Sequence, residues 1–188
     1  IEQGVEPAVP DPHGVEEPDY GEHRLRDLAA PVHVFQLGTD AFGPLRTVDS
    51  VPTNLPTVRT ELIGRSDELV TLSALVRSER LVTLTGTGGV GKTRLALGAA
   101  ATVATEFADG CWLVELAPVS DGDEVSNAVA AAMRAPTTSA EGLVTYLAER
   151  RMLIVLDNCE HVLDAAADLV DAVLSAAPDI SMIATSRE

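Results

Sequence analysis

The sequence predicts an α/β fold in which helices cover both faces of a parallel sheet. From about residue 59 onward, short apolar runs alternate with longer segments of helical periodicity, the pattern of successive strand–helix–strand crossovers. Residues 152–156 are apolar at every position, as expected for a strand buried on both faces. With 188 residues, of which 46% are apolar, the chain can build one domain of this kind around a hydrophobic core.

The predicted elements follow one another without long gaps. Ser66, Asp121 or Asp123, and Ser139 are candidate N-caps, because their side-chain oxygens can accept hydrogen bonds from a helix's first free N–H groups. The chain begins at Ile1 and ends just after the last strand, so we expect a C-terminally truncated domain with the first four strands of its sheet. Strands are predicted at 82–85, 112–116, 152–156 and 180–184, and helices at 66–78, 93–107, 122–134, 140–151 and 160–177.

Three segments precede this domain, which covers residues 59–188. Residues 1–22 hold seven acidic residues and four prolines but no Lys or Arg, a composition that predicts a disordered acidic leader. Residues 23–40 contain two short strand-like runs, one around residues 24–26 and one at 32–37, joined through Pro31. Residues 41–58 contain several glycines and prolines without periodicity and predict a linker.

Composition argues against several kinds of partner. The formal net charge is −16, so we expect no direct contact with nucleic acid from this segment. No apolar run approaches the ~20 residues of a membrane span and no signal peptide opens the chain, which together predict a cytoplasmic protein without a membrane partner. Cys111 and Cys159 have apolar neighbours and are expected to be buried thiols rather than disulfide or metal ligands.

The segment between the first strand and the second helix carries the strongest chemical signal. It matches G-x-x-x-x-G-K-[ST] at every fixed position, and we call residues 86–93 the phosphate loop. Glycines let successive backbone N–H groups curl around phosphate oxygens, and the start of the helix adds its positive dipole end. The residues of the loop are Gly86, Thr87, Gly88, Gly89, Val90, Gly91, Lys92 and Thr93.

Two side chains of the phosphate loop have expected roles. Lys92 would lie along the β- and γ-phosphates of a bound nucleotide, and the Thr93 hydroxyl would be a ligand of Mg²⁺. Lys92 is the only lysine among the 13 basic residues, at a place where a compact ammonium suits a phosphate clamp.

Three residues closer to the C-terminus are further candidates. Asp157 directly follows the strand at 152–156, where a carboxylate can serve Mg²⁺ directly or through water. Many ATPases with such a phosphate loop carry a second acid directly after the first, but Asn158 stands at that place here. Glu160 could therefore be the catalytic base, or it could only complement a helix N-terminus. Arg187 would lie beside the phosphate loop if the last strand neighbours the first, and could then sense a γ-phosphate; the alternative is a surface arginine.

A short segment near the N-terminus resembles a known family. Residues 21–37, GEHRLRDLAAPVHVFQL, resemble the C-terminal strand pair of class III adenylate/guanylate cyclase domains. The similar segment includes none of that family's metal-binding aspartates or other catalytic positions. We therefore expect a remnant of a cyclase-like domain without cyclase activity.

Four motifs in combination resemble a second family. Residues 62–65, 86–93, 153–161 and 184–188 are similar to motifs of the nucleotide-binding domain of signal-transduction ATPases with numerous domains, the NB-ARC-like group. More narrowly, they resemble those of bacterial LuxR-type transcriptional regulators with an upstream cyclase homology region. The resemblance covers residues 59–188 and implies a P-loop NTPase fold with a three-layer αβα arrangement.

This resemblance also implies a function. It implies an ATP/ADP switch of slow turnover that uses Mg²⁺, in which Ile63, Gly64 and Arg65 lie near the adenine, Asp157 serves the metal and Arg187 is the sensor. It further implies regulatory parts outside this sequence, among them a fifth strand, a winged-helix lid, helical repeats and a DNA-binding end, or self-association of the full-length protein.

Other nucleotide-dependent functions fit less well. A GTPase needs an Asn-Lys-x-Asp guanine reader, which is impossible when Lys92 is the only lysine, and a transporter ATPase needs a Leu-Ser-Gly-Gly signature, which the sequence lacks. Two alternatives stay open. One is a small-molecule kinase, whose phosphate loop would look the same, and the other is a non-enzymatic fragment that interacts through an open sheet edge.

Overall fold

A four-stranded parallel sheet with helices on both faces forms the body of the chain, as predicted. The computed structural model describes residues 19–23, 32–35, 51–56, 64–137 and 139–187. The strands of the large sheet are β3 (Leu81–Thr85), β4 (Cys111–Glu115), β5 (Leu153–Asp157) and β6 (Ser181–Ser186), and their spatial order is β3-β6-β5-β4. The helices are α1 (Ser66–Ser78), α2 (Lys92–Val103), α3 (Val125–Ala132), α4 (Ala140–Leu147) and α5 (Leu163–Ala176).

Strand β5 lies inside the sheet and faces an apolar core on each side. Leu153 and Val155 belong to the core that α1 and α2 form on one face. Ile154 and Leu156 belong to the core that α3, α4 and α5 form on the other. None of the four side chains is more than 1% exposed, which confirms the interpretation of this apolar run as a doubly buried strand. The three-layer αβα arrangement follows from these two cores.

The N-cap predictions have mixed outcomes. Asp121 accepts a hydrogen bond from the Asp123 backbone N–H at 3.1 Å and begins a short 3₁₀ turn, Gly122–Glu124. Ser139 Oγ accepts a hydrogen bond from the Gly142 N–H, also at 3.1 Å, at the start of α4. The prediction for Ser66 was wrong, because Ser66 is the first residue inside α1 and Arg65 precedes it without a side-chain cap.

Two element boundaries near the carboxyl edge of the sheet differ from those predicted. Helix α5 begins at Leu163 rather than near 160, because a 3₁₀ turn, Cys159–His161, comes between β5 and the helix. Strand β6 continues to Ser186, two residues past the predicted end, because it stays paired with β3 up to Thr85. Both differences depend on neighbours that are distant in sequence.

The N-terminal strand pair forms, but its first strand lies earlier than expected. Strand β1 (Asp19–His23) pairs antiparallel with β2 (Val32–Phe35). Residues 19–22 were assigned to the acidic leader from their composition, but they belong to this strand pair. Composition does not show that β2, further along the chain, pairs with their backbone. The remaining leader residues, the predicted strand at 24–26 and the Pro31 connection lie outside the described residues.

Part of the predicted linker packs along the edge strand β4. The Asn54 side chain donates to Leu113 O at 2.8 Å and accepts from Leu113 N at 2.6 Å, so its amide replaces a neighbouring strand. Cys111 N donates to Pro52 O at 3.2 Å. A Cβ on Gly110 would lie 2.0 Å from that same oxygen, so this close approach requires glycine. Residues 51–56 therefore cover a sheet edge that would otherwise be open.

Both cysteines are buried thiols, as predicted. Cys111 is fully buried and Cys159 is 2% exposed, and neither forms a disulfide. Burial raises the pKa of Cys111 to about 12 and that of Cys159 to about 11. Within the part of the chain that the structure describes, no helix has both the length and the apolar character needed to cross a membrane.

The buried thiols predict a loss of stability at alkaline pH. Below pH 8 the thiols are protonated in both the folded and the unfolded chain; above the unfolded pKa of about 8.5, only the unfolded chain ionises. We expect the free energy of unfolding to fall by about 4 kcal/mol between pH 8 and pH 10, about 2 kcal/mol from each thiol. Urea unfolding of the protein and of a Cys111→Ala/Cys159→Ala variant at both pH values measures this. An equally steep decline in the variant would contradict the assignment.

Candidate nucleotide-binding site

The predicted site residues meet at the carboxyl edge of the sheet. The phosphate loop follows β3, Asp157 is the last residue of β5, and Arg187 directly follows β6. Strand β6 lies between β3 and β5 and therefore pairs with β3, the strand that precedes the phosphate loop. Arg187 was expected beside the phosphate loop if these two strands were neighbours. Because the strands are parallel, all three segments end at the same edge, the usual place for a ligand in an open α/β sheet.

The phosphate loop turns sharply into α2. Gly91 has φ 86° and ψ 24°, a left-handed conformation that favours glycine, and α2 begins at the next residue. The Lys92 ammonium bends back over the loop and donates to Gly86 O at 2.7 Å and Thr87 O at 3.1 Å. An ammonium has three donors, so one more is available to an anion within the loop. The first N–H groups of a helix have no acceptor within the helix, so those of α2 are also available to such an anion.

Asp157 receives two hydroxyl hydrogen bonds on one oxygen. Thr93 Oγ1, from the start of α2, donates to Asp157 Oδ1 at 2.7 Å. Thr185 Oγ1, from β6, donates to the same atom at 2.6 Å. The carboxylate therefore lies beside the hydroxyl that the motif assigned to the metal, although the two residues are 64 positions apart.

Thr185 is a residue of this cluster that motif reasoning missed. Its hydroxyl also accepts a hydrogen bond from the Asn158 backbone N–H at 3.0 Å, and the residue is 2% exposed. Asn158 has φ 68° and ψ 53°, a left-handed turn that directs the chain away from β5. A hydroxyl residue near the end of the last predicted strand was the only available signal, and it becomes informative only once β5 and β6 are known to be neighbours.

Glu160 and Arg187 form an ion pair across the ends of β5 and β6. Arg187 Nε and Glu160 Oε1 are 2.8 Å apart; the arginine side chain is 66% exposed and the glutamate 21% exposed. A Cβ on Gly88 would lie 3.9 Å from Arg187 Nε, so the guanidinium is close to the phosphate loop. Glu160 lies in the 3₁₀ turn Cys159–His161, three residues before α5, and its carboxylate is directed to Arg187 rather than to the N-terminus of α5.

Arg65 contacts the phosphate loop from the side of α1. Its Nη1 donates to Val90 O at 2.6 Å, and its Nη2 donates to Glu68 Oε1 at 3.0 Å. The hydrogen bond between the side chains raises the pKa of Arg65 and lowers the pKa of Glu68. Gly64 precedes Arg65 in a turn with φ 75°. Ile63 lies outside the described residues.

The donor set fits Mg²⁺ better than a soft metal. Thr93 and Asp157 offer hard oxygen ligands, and Mg²⁺ needs few protein ligands when it also binds phosphates and water. Among the described residues, no group of three or more His, Cys, Asp or Glu side chains could enclose a metal by itself. Any Mg²⁺ at this edge would thus depend on the oxygens of its other ligands.

The fold is shared with solved P-loop ATPases. The chain is similar to the ORC2 protein of Aeropyrum pernix, solved in ADPNP–ADP complexes, with a TM-score of 0.55 and 15% identity over 68% of this chain and 42% of that one. It is also similar to Cdc6p of Pyrobaculum aerophilum, with a TM-score of 0.51 and 18% identity over 71% of this chain and 41% of that one. Both are P-loop ATPases. The chain has a P-loop NTPase fold.

Sequence relatives come from mycobacteria. A Mycobacterium tuberculosis protein named "Putative HTH-type transcriptional regulator" is 47% identical over 121 residues, which cover 62% of this chain and 14% of that protein. An uncharacterized Mycobacterium bovis protein is 41% identical over 133 residues, 69% of this chain and 34% of that protein. The chain thus spans about a third or less of the length of these relatives. No family model matches it.

The contact between Arg65 and Val90 predicts that Arg65 restrains the phosphate loop. In an Arg65→Gln variant, we expect amide hydrogen exchange in residues 86–93 to become severalfold faster, because the loop loses its hydrogen bond to α1. Mass spectrometry of peptides from the nucleotide-free protein measures the rates.

Arg77→Gln is the matched control for this prediction. Arg77 also lies on α1 and makes a bidentate pair with Glu106, at 2.8 Å and 3.0 Å, away from the phosphate loop. Equal exchange in the loop of both variants would show that Arg65 does not restrain it.

Proposed function

We propose that this chain binds ATP and ADP together with Mg²⁺ and acts as the nucleotide switch module of a larger signalling or transcription-regulating ATPase. The observation that carries the proposal is the 2.7 Å hydrogen bond between Thr93 and Asp157, beside a phosphate loop with its lysine over it. A glycine-rich turn with no ligand would not require the Asp157 carboxylate beside Thr93. A metal–nucleotide site needs both groups side by side.

Each part of the site has a role in this proposal. The phosphate loop and the N-terminus of α2 bind the phosphates through backbone N–H groups, and Lys92 adds the positive charge. Thr93 and Asp157 hold Mg²⁺, which neutralises charge on the phosphate oxygens when it is bound. We propose that Gly64 and Arg65 lie on the adenine side; Ile63, which the resemblance also assigns there, is outside the described residues. The ADPNP–ADP complexes of the similar Aeropyrum pernix ORC2 protein support binding of both nucleotide states.

The surroundings of Glu160 favour slow hydrolysis. Asn158 follows Asp157 where many ATPases carry their catalytic acid, and Glu160 is engaged with Arg187 at 2.8 Å. Glu160 can act as a base only if this ion pair opens, and Arg187 can reach a γ-phosphate under the same condition. We therefore propose that Arg187 exchanges Glu160 for the γ-phosphate, and that turnover is slow or absent because Asn158 replaces the usual catalytic acid and Glu160 is released only after this exchange.

The place of the module in a regulator rests on its relatives. The name of the mycobacterial relatives, the acidic surface with a net charge of −16 and the motifs of residues 62–65 and 184–188 support an NB-ARC-like switch whose DNA contacts are made by other parts of a longer protein. Such a module works by different affinities for partner domains in its ATP and ADP states. We propose that such a module works in the cytoplasm, where ATP is available.

Two other functions make different predictions. A small-molecule kinase would transfer the γ-phosphate only when an acceptor is present, and a non-enzymatic fragment would not bind nucleotide at all. Measuring nucleotide affinity and phosphate release without an acceptor separates the switch from an active ATPase and from the fragment. A kinase would also bind tightly with slow release, and it is distinguished by loss of the γ-phosphate only after an acceptor is added. Tight binding with slow release supports the switch, rapid release supports an active ATPase, and no binding supports the fragment.

Replacing Lys92 tests the proposed nucleotide site directly. We expect Lys92→Ala to weaken the affinity for a fluorescent ATP analogue in Mg²⁺ by about tenfold or more, because a charge-assisted contact with the phosphates is lost. Fluorescence titration measures this. Arg151→Ala is the matched control, since it removes the same charge beside the start of β5, at the opposite edge of the sheet. Equal affinities of the two variants would refute the site.

The single lysine allows a second measurement on the unmodified sequence. An amine-specific reagent can react only with Lys92 and the N-terminal amine, so labelling of Lys92 is read by mass spectrometry with the N-terminus as internal standard. We expect ADP with Mg²⁺ to protect Lys92 and leave labelling of the N-terminus unchanged. Labelling of Lys92 that nucleotide does not change would contradict the proposed contact.

A further inference from the structure

Strands β5 and β6 stop pairing through their backbones just before the proposed metal site. The last backbone pair of their ladder joins Leu156 and Ala184. Beyond it, the Thr185 side chain takes over, because its hydroxyl accepts from Asn158 N at 3.0 Å and donates to Asp157 Oδ1 at 2.6 Å. A buried hydroxyl with one proton thereby satisfies a backbone donor and a carboxylate at the same time. The two residues it joins are consecutive at the end of β5.

The same carboxylate oxygen has a second donor whose role differs. Thr93 Oγ1 also donates to Asp157 Oδ1, but the proposed function assigns that hydroxyl oxygen to Mg²⁺. Thr185 lies on a different strand, and the proposed function assigns its hydroxyl no metal. Both hydroxyls use Oδ1, so neither uses the second oxygen, Oδ2.

We propose that Thr185 is the positioning residue of the metal–nucleotide site: its hydroxyl fixes the carboxylate of Asp157 and the left-handed turn at Asn158 for Mg²⁺-dependent nucleotide binding. This inference rests on the proposed function. Thr185 does not touch the nucleotide or the metal; it acts through Asp157. Partners that orient a ligand in this way affect metal affinity about 10- to 100-fold in other metal sites.

Thr185 also connects the metal site with the sensor. Arg187, two residues further along the same strand end, pairs with Glu160, two residues past Asn158. The ends of β5 and β6 are therefore joined twice, once by the threonine hydroxyl and once by the ion pair. Only Ser186 separates Arg187 from Thr185, and Thr185 and Ser186 are each 2% exposed. A displacement of Arg187 on binding of a γ-phosphate would therefore be transmitted through this short, buried segment to Asp157.

Magnesium dependence distinguishes positioning from simple packing. The quantity to measure is the magnesium ratio, defined as the Kd for a fluorescent ADP analogue in EDTA divided by the Kd in MgCl₂. We expect Thr185→Val to lower this ratio about tenfold or more while the Kd in EDTA stays that of the wild type. Thr185→Ser, which keeps the hydroxyl, should retain the wild-type ratio. A purely structural role would lower the melting temperature without changing the ratio.

Ser186→Ala is the matched control on the next residue. Ser186 is as buried as Thr185, but its hydroxyl has no hydrogen-bond partner among the described residues. Its removal deletes a buried hydroxyl from the same strand without touching Asp157, so the magnesium ratio should stay that of the wild type. Should Thr185→Val fail to fold, Thr185→Cys carries the test, because a thiol fits the position but hydrogen-bonds weakly.

The outcomes separate this inference from the proposed function. A wild-type protein that binds the ADP analogue equally in EDTA and MgCl₂, or not at all, refutes the proposed function and the positioning role with it. A wild-type magnesium ratio that Thr185→Val and Thr185→Cys both retain refutes the positioning role alone. A ratio that falls in both variants and is restored in Thr185→Ser supports it.

Discussion

The hydrogen bonds that converge on Asp157 join three separate parts of the chain. One comes from the start of α2, one comes from β6, and the acceptor ends β5. This convergence requires that β6 lie between β3 and β5, since otherwise the phosphate loop after β3 and the carboxylate after β5 would not share an edge with Thr185 between them. Parallel strand order thus determines the site, and the two apolar cores maintain that order.

The loop side of the site is restrained independently. Lys92 donates to two carbonyls of the phosphate loop, and Arg65 donates to a third from outside it. With these carbonyls engaged by cations, the N–H groups of the loop are the groups left to face an anion. The binding surface is therefore arranged before any ligand arrives, which lowers the entropic cost of ordering it on binding.

Much of the fold could be predicted because its signals are local. The motif at residues 86–93 is contiguous, and the apolar run before Asp157 identifies a doubly buried strand without knowledge of its neighbours. The register of β6 against β3 could not be read in this way. It extends β6 by two residues and brings Thr185 and Arg187 to the site.

The remaining differences have similar physical causes. Ser66 has the residue type of an N-cap but lies inside α1, while Arg65 before it is engaged with the phosphate loop. Asn54 lies in a segment whose composition is typical of a linker, yet its amide pairs with the backbone of β4. In each case a contact with a residue far along the chain overrides a local preference, and no pattern within a short window contains that contact.

The most direct test of the metal–nucleotide site is a double-mutant cycle between Thr93 and Asp157. Affinities for ADP are measured by calorimetry for the wild type, Thr93→Val, Asp157→Asn and the double variant, each in MgCl₂ and in EDTA. If both side chains serve one metal, their effects in MgCl₂ are coupled by about 1 kcal/mol or more, and the coupling is smaller in EDTA, where only their direct hydrogen bond joins them. Additive effects in MgCl₂, or the same coupling in EDTA, would contradict the account.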